Sequence, residues 1–254
     1  MNNKSFFPKA CALTLMLICL SAVLICGYRL FGYYMDINRV SRETQRLRDI
    51  RLEDTSLSVL SEFESLLAEN TDTVGWLRLA GTAIDYPVMQ SSADDPEFYL
   101  THNFKKAPDP SGVPFLDYRC NIYHSPDNTS DNLILYGHNM KSGLMFHDLT
   151  RYEDFDFWSE NKIIYFDTLY FQDSYEVFAV FKYDLTSAID SEFNIIKHVD
   201  YSNAADFDEF ISYVKGVSLH ATDNTASYGD KLLTLITCEY SSDDSRFVVV
   251  AKKQ

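Results

Sequence analysis

The hydrophobic and polar positions along the chain change pattern twice. Residues 10–28 form an almost unbroken apolar run, and residues 36–70 are charged with apolar side chains at spacings of three and four. From Thr73 onward, apolar positions tend to alternate with polar ones. Spacings of three and four are typical of amphipathic helices, whereas alternation is typical of strands. The pattern therefore predicts an apolar segment, then helices, then a mainly β domain.

The apolar run at 10–28 is long enough to cross a membrane. As a helix, its 19 residues would span roughly 28 Å, close to the thickness of the hydrocarbon core. A cleaved signal peptide usually has a shorter apolar stretch of about 7–15 residues and a small-x-small site, whereas this run ends Ile25-Cys26-Gly27-Tyr28-Arg29. We expect an uncleaved transmembrane anchor at 10–28 after a short segment at 1–9. Basic residues flank both ends of the run, so the positive-inside rule alone gives no orientation.

The charged region after the run predicts a helical extension at 29–71. Its second helix is expected near 55–69, with Asp54-Thr55-Ser56 as capping residues and Asn70 as the stop. The apolar residues on one face of this helix are Leu57, Leu60, Phe63, Leu66 and Leu67. This face is expected to pack on the following domain and not on a partner.

Eight short segments rich in β-branched and aromatic residues predict strands. They lie at 74–79, 83–88, 112–117, 132–136, 162–166, 175–181, 232–238 and 246–251. Eight short strands favour a barrel or a sandwich. Two helical inserts are expected between them, near 145–152 and within 203–218.

Composition narrows the possible partners and compartments. The chain has 46% hydrophobic residues, which supports a packed core, and 22 basic against 37 acidic residues, a formal charge of -15. So acidic a surface repels phosphate backbones, so nucleic acid is not expected as a partner. An acidic surface is also not attracted to the anionic lipids of a cytoplasmic leaflet. Of five cysteines, only Cys120 and Cys238 lie outside the apolar run, so the domain is not a disulfide scaffold.

Cys238 and Arg246 are the best candidates for chemistry. Cys238 ends a predicted strand, a polar turn follows, and Arg246 begins the next strand. If the two strands pair antiparallel, the thiol and the guanidinium lie near one another, where the cation could stabilise a thiolate or an oxyanion. Taken singly, each has an ordinary interpretation: a buried inert cysteine and a solvated arginine. His138 follows the strand at 132–136, after Gly137, which is expected to let the backbone turn and present the imidazole at the strand end.

Together, three motifs resemble the sortase family, the membrane-anchored cysteine transpeptidases of Gram-positive cell surfaces. They are Tyr136-Gly137-His138-Asn139-Met140, Thr234-Leu235-Ile236-Thr237-Cys238, and Arg246. Further features resemble class B: the helical extension, Phe98-Tyr99-Leu100 with Asn103, Phe115-Leu116-Asp117-Tyr118-Arg119, and the helix inserted before the cysteine strand.

The resemblance implies an eight-stranded sortase-type β-barrel at 72–254, with the N-terminus in the cytoplasm and a single-pass anchor holding the catalytic domain outside the cell membrane. It implies that Cys238 is the nucleophile, that His138 transfers protons, and that Arg246 orients substrate and stabilises the oxyanion. The backbone N–H of Glu239 would be a second oxyanion donor. The residues expected to contact substrate are Leu100, Asn103, Thr237 and Tyr240.

The implied reaction cleaves a C-terminal sorting signal of a surface protein through a thioacyl intermediate and passes the acyl group to an amine of a peptidoglycan precursor or a pilin. No metal or organic cofactor is expected. Two alternatives stay open: a thiol hydrolase that uses the same site, and a non-catalytic membrane-tethered binding module. Cys120 is interpreted as a bystander thiol, although a Cys120–Cys238 disulfide would silence the enzyme. Asp243 and Asp244 are expected to point into water.

Overall fold

The structure, a computed structural model, describes residues 6–53, 59–122, 129–184, 193–238 and 245–254. The chain divides into two compact units, Met1–Gln45 and Arg46–Gln254. Helix α1 is a single helix from Phe6 to Glu53, where the pattern predicted an anchor followed by further helices. Among the described residues, no helix combines the length and the apolar character that crossing a membrane requires.

The second unit is built on eight strands that close into a barrel. The strands are β1 (Thr73–Leu79), β2 (Asp85–Met89), β3 (Phe115–Leu116), β4 (Asn132–Tyr136), β5 (Ile163–Thr168), β6 (Gln172–Asp184), β7 (Leu232–Cys238) and β8 (Ser245–Lys253). Their order around the barrel is β1-β2-β3-β4-β7-β8-β6-β5. The prediction of eight strands is confirmed. Of the two architectures that they favoured, the structure has the barrel and not the sandwich.

Helix α2 (Val59–Glu69) packs its apolar face on this unit. Phe63 and Leu66 are fully buried in a cluster with Trp76 of β1 and Tyr99, and Leu47 from the last turns of α1 joins them. The Arg46 guanidinium donates two hydrogen bonds of 2.7 Å to the Glu69 carboxylate, which links the ends of the two helices. The expectation that this face packs on the domain is confirmed for Phe63, Leu66 and Leu67, whereas Leu57 and the Leu60 side chain lie outside the described residues.

Two helical inserts lie between the later strands. A 3-10 helix at His147–Glu153 leads into α3 (Phe155–Glu160), whose N-terminus is capped by the Asp154 side chain. The insert before the cysteine strand is α4 (Ala204–Gly216), capped by Asn203, whose side chain accepts hydrogen bonds from two backbone amides. Both inserts lie where the sequence predicted them, near 145–152 and within 203–218.

Strand pairing brings the ends of β4, β7 and β8 to one end of the barrel. β4 runs parallel to β7 in a register from Asn132 with Leu232 to Tyr136 with Ile236. β7 runs antiparallel to β8. The ends of β4 and β7 therefore lie at the same end of the barrel as the start of β8, and this is where the candidate chemistry falls.

Candidate active site

The ends of β7 and β8 bring Cys238 and Arg246 together. Cys238 is the direct cross-strand partner of Arg246, which on its other side is paired with Tyr183 of β6. The predicted neighbour relation of cysteine and arginine is thus confirmed at the level of the backbone. The Cys238 side chain lies outside the described residues, as do Glu239, Tyr240, Asp243 and Asp244.

His138 stands two residues beyond the end of β4. The parallel register pairs Tyr136 with Ile236, so continuing it by two residues brings the His138 backbone level with Cys238. The Gly137 amide donates to the Ile236 carbonyl at 3.2 Å, which extends the contact between the two strands past the last paired residue. A half-buried imidazole thereby lies beside the cysteine strand end.

The His138 ring is held by a backbone carbonyl. Its Nε2 lies 2.8 Å from the Leu100 carbonyl oxygen. A carbonyl only accepts, so the ring nitrogen must carry the proton in this contact. The other nitrogen, Nδ1, is then free to accept a proton in the neutral ring or to donate one in the charged ring.

Gly137 is required by a close approach of Phe146. A Cβ built on Gly137 would lie 2.7 Å from Cγ of the Phe146 ring, and its φ is not in the left-handed region. The sequence suggested glycine for a backbone turn, but the structure gives a different reason, which is room for an aromatic ring. The Phe146 amide in turn donates to the His138 carbonyl at 2.8 Å.

A groove of about 340 Å³ runs past these residues. Its lining combines apolar side chains with His138 and Arg246. The other residues that line it are Pro96, Glu97, Leu100, Phe115, Asp117, Tyr118, Arg119, Tyr136, Gly137, Tyr183, Ile195, Ile196, Ile236 and Thr237. An apolar groove with a few polar groups converging on it is the usual form of a binding site for a small or extended ligand.

The four residues expected to contact substrate fall in different places. Leu100 and Thr237 line the groove, although the buried Thr237 hydroxyl donates to the Gly137 carbonyl at 2.7 Å. The Asn103 side chain lies outside the groove lining and accepts from the amides of Lys105 and Ala107, which stabilises a local turn. Tyr240 lies outside the described residues. Substrate contact by these residues stays a prediction.

A charged network in the groove lining, built on the buried Asp117, was missed from the sequence as a part of the site. The Arg119 guanidinium donates to both carboxylate oxygens of Asp117, at 2.8 and 2.6 Å, and the Tyr136 hydroxyl donates to the same carboxylate at 2.9 Å. The spacing Asp-x-Arg directly after a strand was visible in the sequence. Its pairing with a tyrosine on another strand was not.

Electrostatics keep this network ionised. Burial of Asp117 by itself would raise the pKa of its carboxyl, but hydrogen bonds and charge from Arg119 outweigh it and leave the pKa below its ordinary value. Burial, reinforced by the Asp117 charge, raises the pKa of the Tyr136 phenol. At neutral pH the network is therefore one carboxylate, one guanidinium and one neutral phenol.

Cys120 is a free, buried thiol. Burial raises the pKa of Cys120 to about 12, and its sulfur lies 3.4 Å from the Asn132 carbonyl oxygen, to which it donates. A thiol with so high a pKa is a poor nucleophile at neutral pH. Among the residues described, no group of three or more His, Cys, Asp or Glu side chains is arranged to hold a metal ion.

The fold and this strand-end arrangement define a closed β-barrel in which Cys238 and Arg246 pair across two strand ends, while His138 and Arg246 line one groove. A family model described as a sortase domain matches residues 77–254. The chain is 32% identical over 235 residues to sortase B of Staphylococcus aureus, covering 91% of each chain, and 31% identical over 260 aligned positions to sortase B of Listeria monocytogenes, covering 99% of this chain and 98% of that one.

A solved structure described as a Staphylococcus aureus sortase B–substrate complex superposes with a TM-score of 0.72 at 31% identity, covering 84% of this chain and 94% of that one. The chain therefore belongs to the sortase family, class B, and is a cysteine transpeptidase. This membership favours the enzyme hypotheses over a non-catalytic binding module.

Proposed function

We propose that this chain cleaves a C-terminal sorting signal of surface proteins at the groove and transfers the acyl group to an amine, with Cys238 as nucleophile. The observation that carries the proposal is the strand register, which pairs Cys238 with Arg246 and brings the His138 backbone level with them. A solved relative in complex with substrate supports the same use of the site.

The proposed first step forms a thioacyl enzyme. The Cys238 thiolate attacks the carbonyl carbon of the scissile bond, so that a carbon–sulfur bond forms and, when the tetrahedral species collapses, the carbon–nitrogen bond breaks. The leaving amine takes its proton from the charged His138 ring. The Leu100 carbonyl holds one ring nitrogen at 2.8 Å, which orients the other for this transfer.

Arg246 supplies positive charge where the oxyanion develops. It lines the groove, and one of its terminal nitrogens donates to the Ser245 carbonyl at 3.0 Å. Charge stabilisation of this kind is usually among the largest contributions to acyl transfer. The backbone amide of Glu239 is proposed as a second donor.

The second step passes the acyl group to an amine. The amine attacks the thioester and gives up a proton to the neutral His138 ring, and the Cys238 thiolate is released. A peptidoglycan precursor or a pilin lysine would supply such an amine. If water replaces the amine, the same residues give a hydrolase. Whether the chain transfers or hydrolyses the acyl group therefore depends on the acceptor and not on Cys238.

The test is mass spectrometry of the full-length chain incubated with sorting-signal peptides, with and without a glycine-type or diaminopimelate-type amine. We expect an acyl adduct on Cys238 that passes to the amine. Cys238→Ala should give no adduct, and His138→Ala should lower turnover by about 10²–10⁴-fold. Arg246→Lys should lose about 10²-fold, because an ammonium lacks the planar fork.

Matched controls separate chemistry from folding. Cys120→Ala removes the other thiol of the domain, and Arg78→Lys makes the same change at an exposed arginine stacked on Tyr165 of β5. Both should turn over as the wild type does. Adduct formation in Cys238→Ala would contradict the assignment of the nucleophile, and wild-type turnover in Arg246→Lys would contradict the role of the arginine. Product with a free carboxylate in the presence of amine would identify a hydrolase.

The proposal includes a membrane anchor at 10–28, with the N-terminus in the cytoplasm and the catalytic domain outside. The apolar character of the run and the acidic charge of the rest of the chain support it. The alignment with the Listeria monocytogenes relative extends over 99% of this chain, so the N-terminal segment is shared with a sortase B.

A further inference from the structure

We infer that Arg119 is a positioning residue that fixes one wall of the groove and thereby sets the affinity for the sorting signal. The inference rests on the proposed function. Arg119 makes one contact that the charged network does not explain: besides Asp117, its terminal nitrogen donates to the Ile196 carbonyl at 2.5 Å. That contact links two segments 77 residues apart in the chain.

The wall is the short 3-10 helix at Ile195–Lys197. Ile195 and Ile196 both line the groove, with Tyr136 and Leu100 also in its lining. The backbone amides of both residues donate hydrogen bonds. The Ile195 amide donates to the Tyr183 hydroxyl of β6 at 3.3 Å, and the Ile196 amide donates to the Asn194 side chain at 3.2 Å. The Ile196 carbonyl accepts a hydrogen bond from Arg119, which follows β3 in the chain.

Arg119 is itself held in place by the barrel. Two of its N–H groups bind the Asp117 carboxylate, and Asp117 is 5% exposed and its amide donates to the Ile134 carbonyl of β4 at 2.8 Å. The Tyr136 hydroxyl reaches the same carboxylate. One buried carboxylate therefore joins Tyr136 in the groove lining to the wall at Ile196, with Arg119 as the link.

The geometry separates binding from chemistry. Among the described residues, the Arg119 side chain donates its hydrogen bonds to Asp117 and Ile196 and not to His138 or Arg246. Its loss should therefore move the wall and leave the proton transfer and the oxyanion site in place. A wall that is no longer fixed must be ordered each time a peptide binds, which weakens binding. We therefore expect Arg119 to act on KM and not on kcat.

The test compares the full-length wild type with Arg119→Lys, using Arg78→Lys as the matched control. A lysine keeps a charge beside Asp117 but has no fork to bind the carboxylate and the Ile196 carbonyl together. Two readouts are taken: hydrogen–deuterium exchange of the peptide spanning 193–199, and KM and kcat for a sorting-signal peptide that the wild type cleaves. Asn194→Ala, which removes a different tie on the same wall, provides a second variant.

In Arg119→Lys we expect exchange at 193–199 to rise about tenfold and KM to rise about tenfold with kcat within about twofold of the wild type. Asn194→Ala should shift both readouts in the same direction, and Arg78→Lys neither. Unchanged exchange, or faster exchange with unchanged KM, would overturn the inference. A fall in kcat of about tenfold at unchanged KM would also overturn the inference. A wild type that cleaves no peptide would refute the proposed function instead, and the exchange readout would still decide whether Arg119 holds the wall.

Discussion

The position of the His138 ring depends on how tightly the residue before it is packed. Gly137 lies against the face of the Phe146 ring, its carbonyl accepts from the Thr237 hydroxyl, and its amide donates to β7. Each contact leaves little freedom to the chain that presents the imidazole. The position of the imidazole therefore depends on the lack of a side chain at Gly137 as well as on His138 itself.

Replacing that hydrogen with a methyl group is the direct test. In Gly137→Ala the new Cβ would meet the Phe146 ring at 2.7 Å, so ring or backbone must move. We expect a loss of stability of about 1–3 kcal/mol, the usual cost of overpacking, together with reduced turnover because His138 shifts. Thermal unfolding and the peptide-cleavage assay measure the two effects.

Gly216 provides the control for this substitution. A Cβ at Gly216 would have no neighbour within 4 Å, and its φ is not positive. Gly216→Ala should therefore leave both stability and turnover close to the wild type. If Gly137→Ala behaved in the same way, the packing argument for the position of His138 would be wrong.

At the scale of elements, a helix outside the barrel completes the packing of its core. α2 inserts Phe63 and Leu66, both with no exposed surface, next to Trp76 of β1 and Tyr99. Tyr99 belongs to the 3-10 helix at Phe98–Leu100, and the Leu100 carbonyl binds His138. The helix therefore supports, through one intervening turn, the segment that holds the ring of His138, the proposed proton-transfer residue.

Truncation of Phe63 tests this support. Phe63→Ala removes a fully buried ring and should cost about 3–5 kcal/mol of unfolding free energy. Chemical denaturation measures it, with Glu64→Ala as the control on the exposed side of the same helix, for which a change within about 0.5 kcal/mol is expected. A small loss for Phe63→Ala, equal to that of the control, would mean that α2 is not part of the cooperative core.

At the scale of the whole molecule, the charge and the N-terminal run together decide where the enzyme would work. The proposed hydrophobic anchor would attach so acidic a chain to a membrane without depending on attraction to anionic lipids. Such an anchor would keep the groove near a membrane-bound amine acceptor.

The anchor can be tested by introducing charges into the run. With arginine at both Leu17 and Leu20, membrane insertion should be opposed by about 2.5–3.5 kcal/mol for each residue. We expect the full-length wild type to stay in the membrane fraction of a Gram-positive host after carbonate washing and the doubly substituted chain to be lost from it. Arginine at the exposed Ser41 is the control. Retention of both variants would contradict an anchor at 10–28.

The sequence alone determined the local elements and the identities of the candidate catalytic residues. Alternation predicts strands and apolar spacing predicts helices. In either element, a residue is buried or exposed according to the face on which it lies, and that face repeats with the period of the element. One polar turn between two strands was also enough to predict that Cys238 and Arg246 are neighbours, since a hairpin is a local structure.

The tertiary structure decided what depends on distant segments. The parallel pairing of β4 with β7 joins residues 100 positions apart. The contact of Arg119 with Ile196, the hold of the Leu100 carbonyl on His138, and the ring that requires Gly137 likewise come from segments that no local pattern connects. Closure of the barrel fixes the strand registers together, because each strand must satisfy hydrogen bonds to two neighbours at once. The registers in turn set where these distant segments meet.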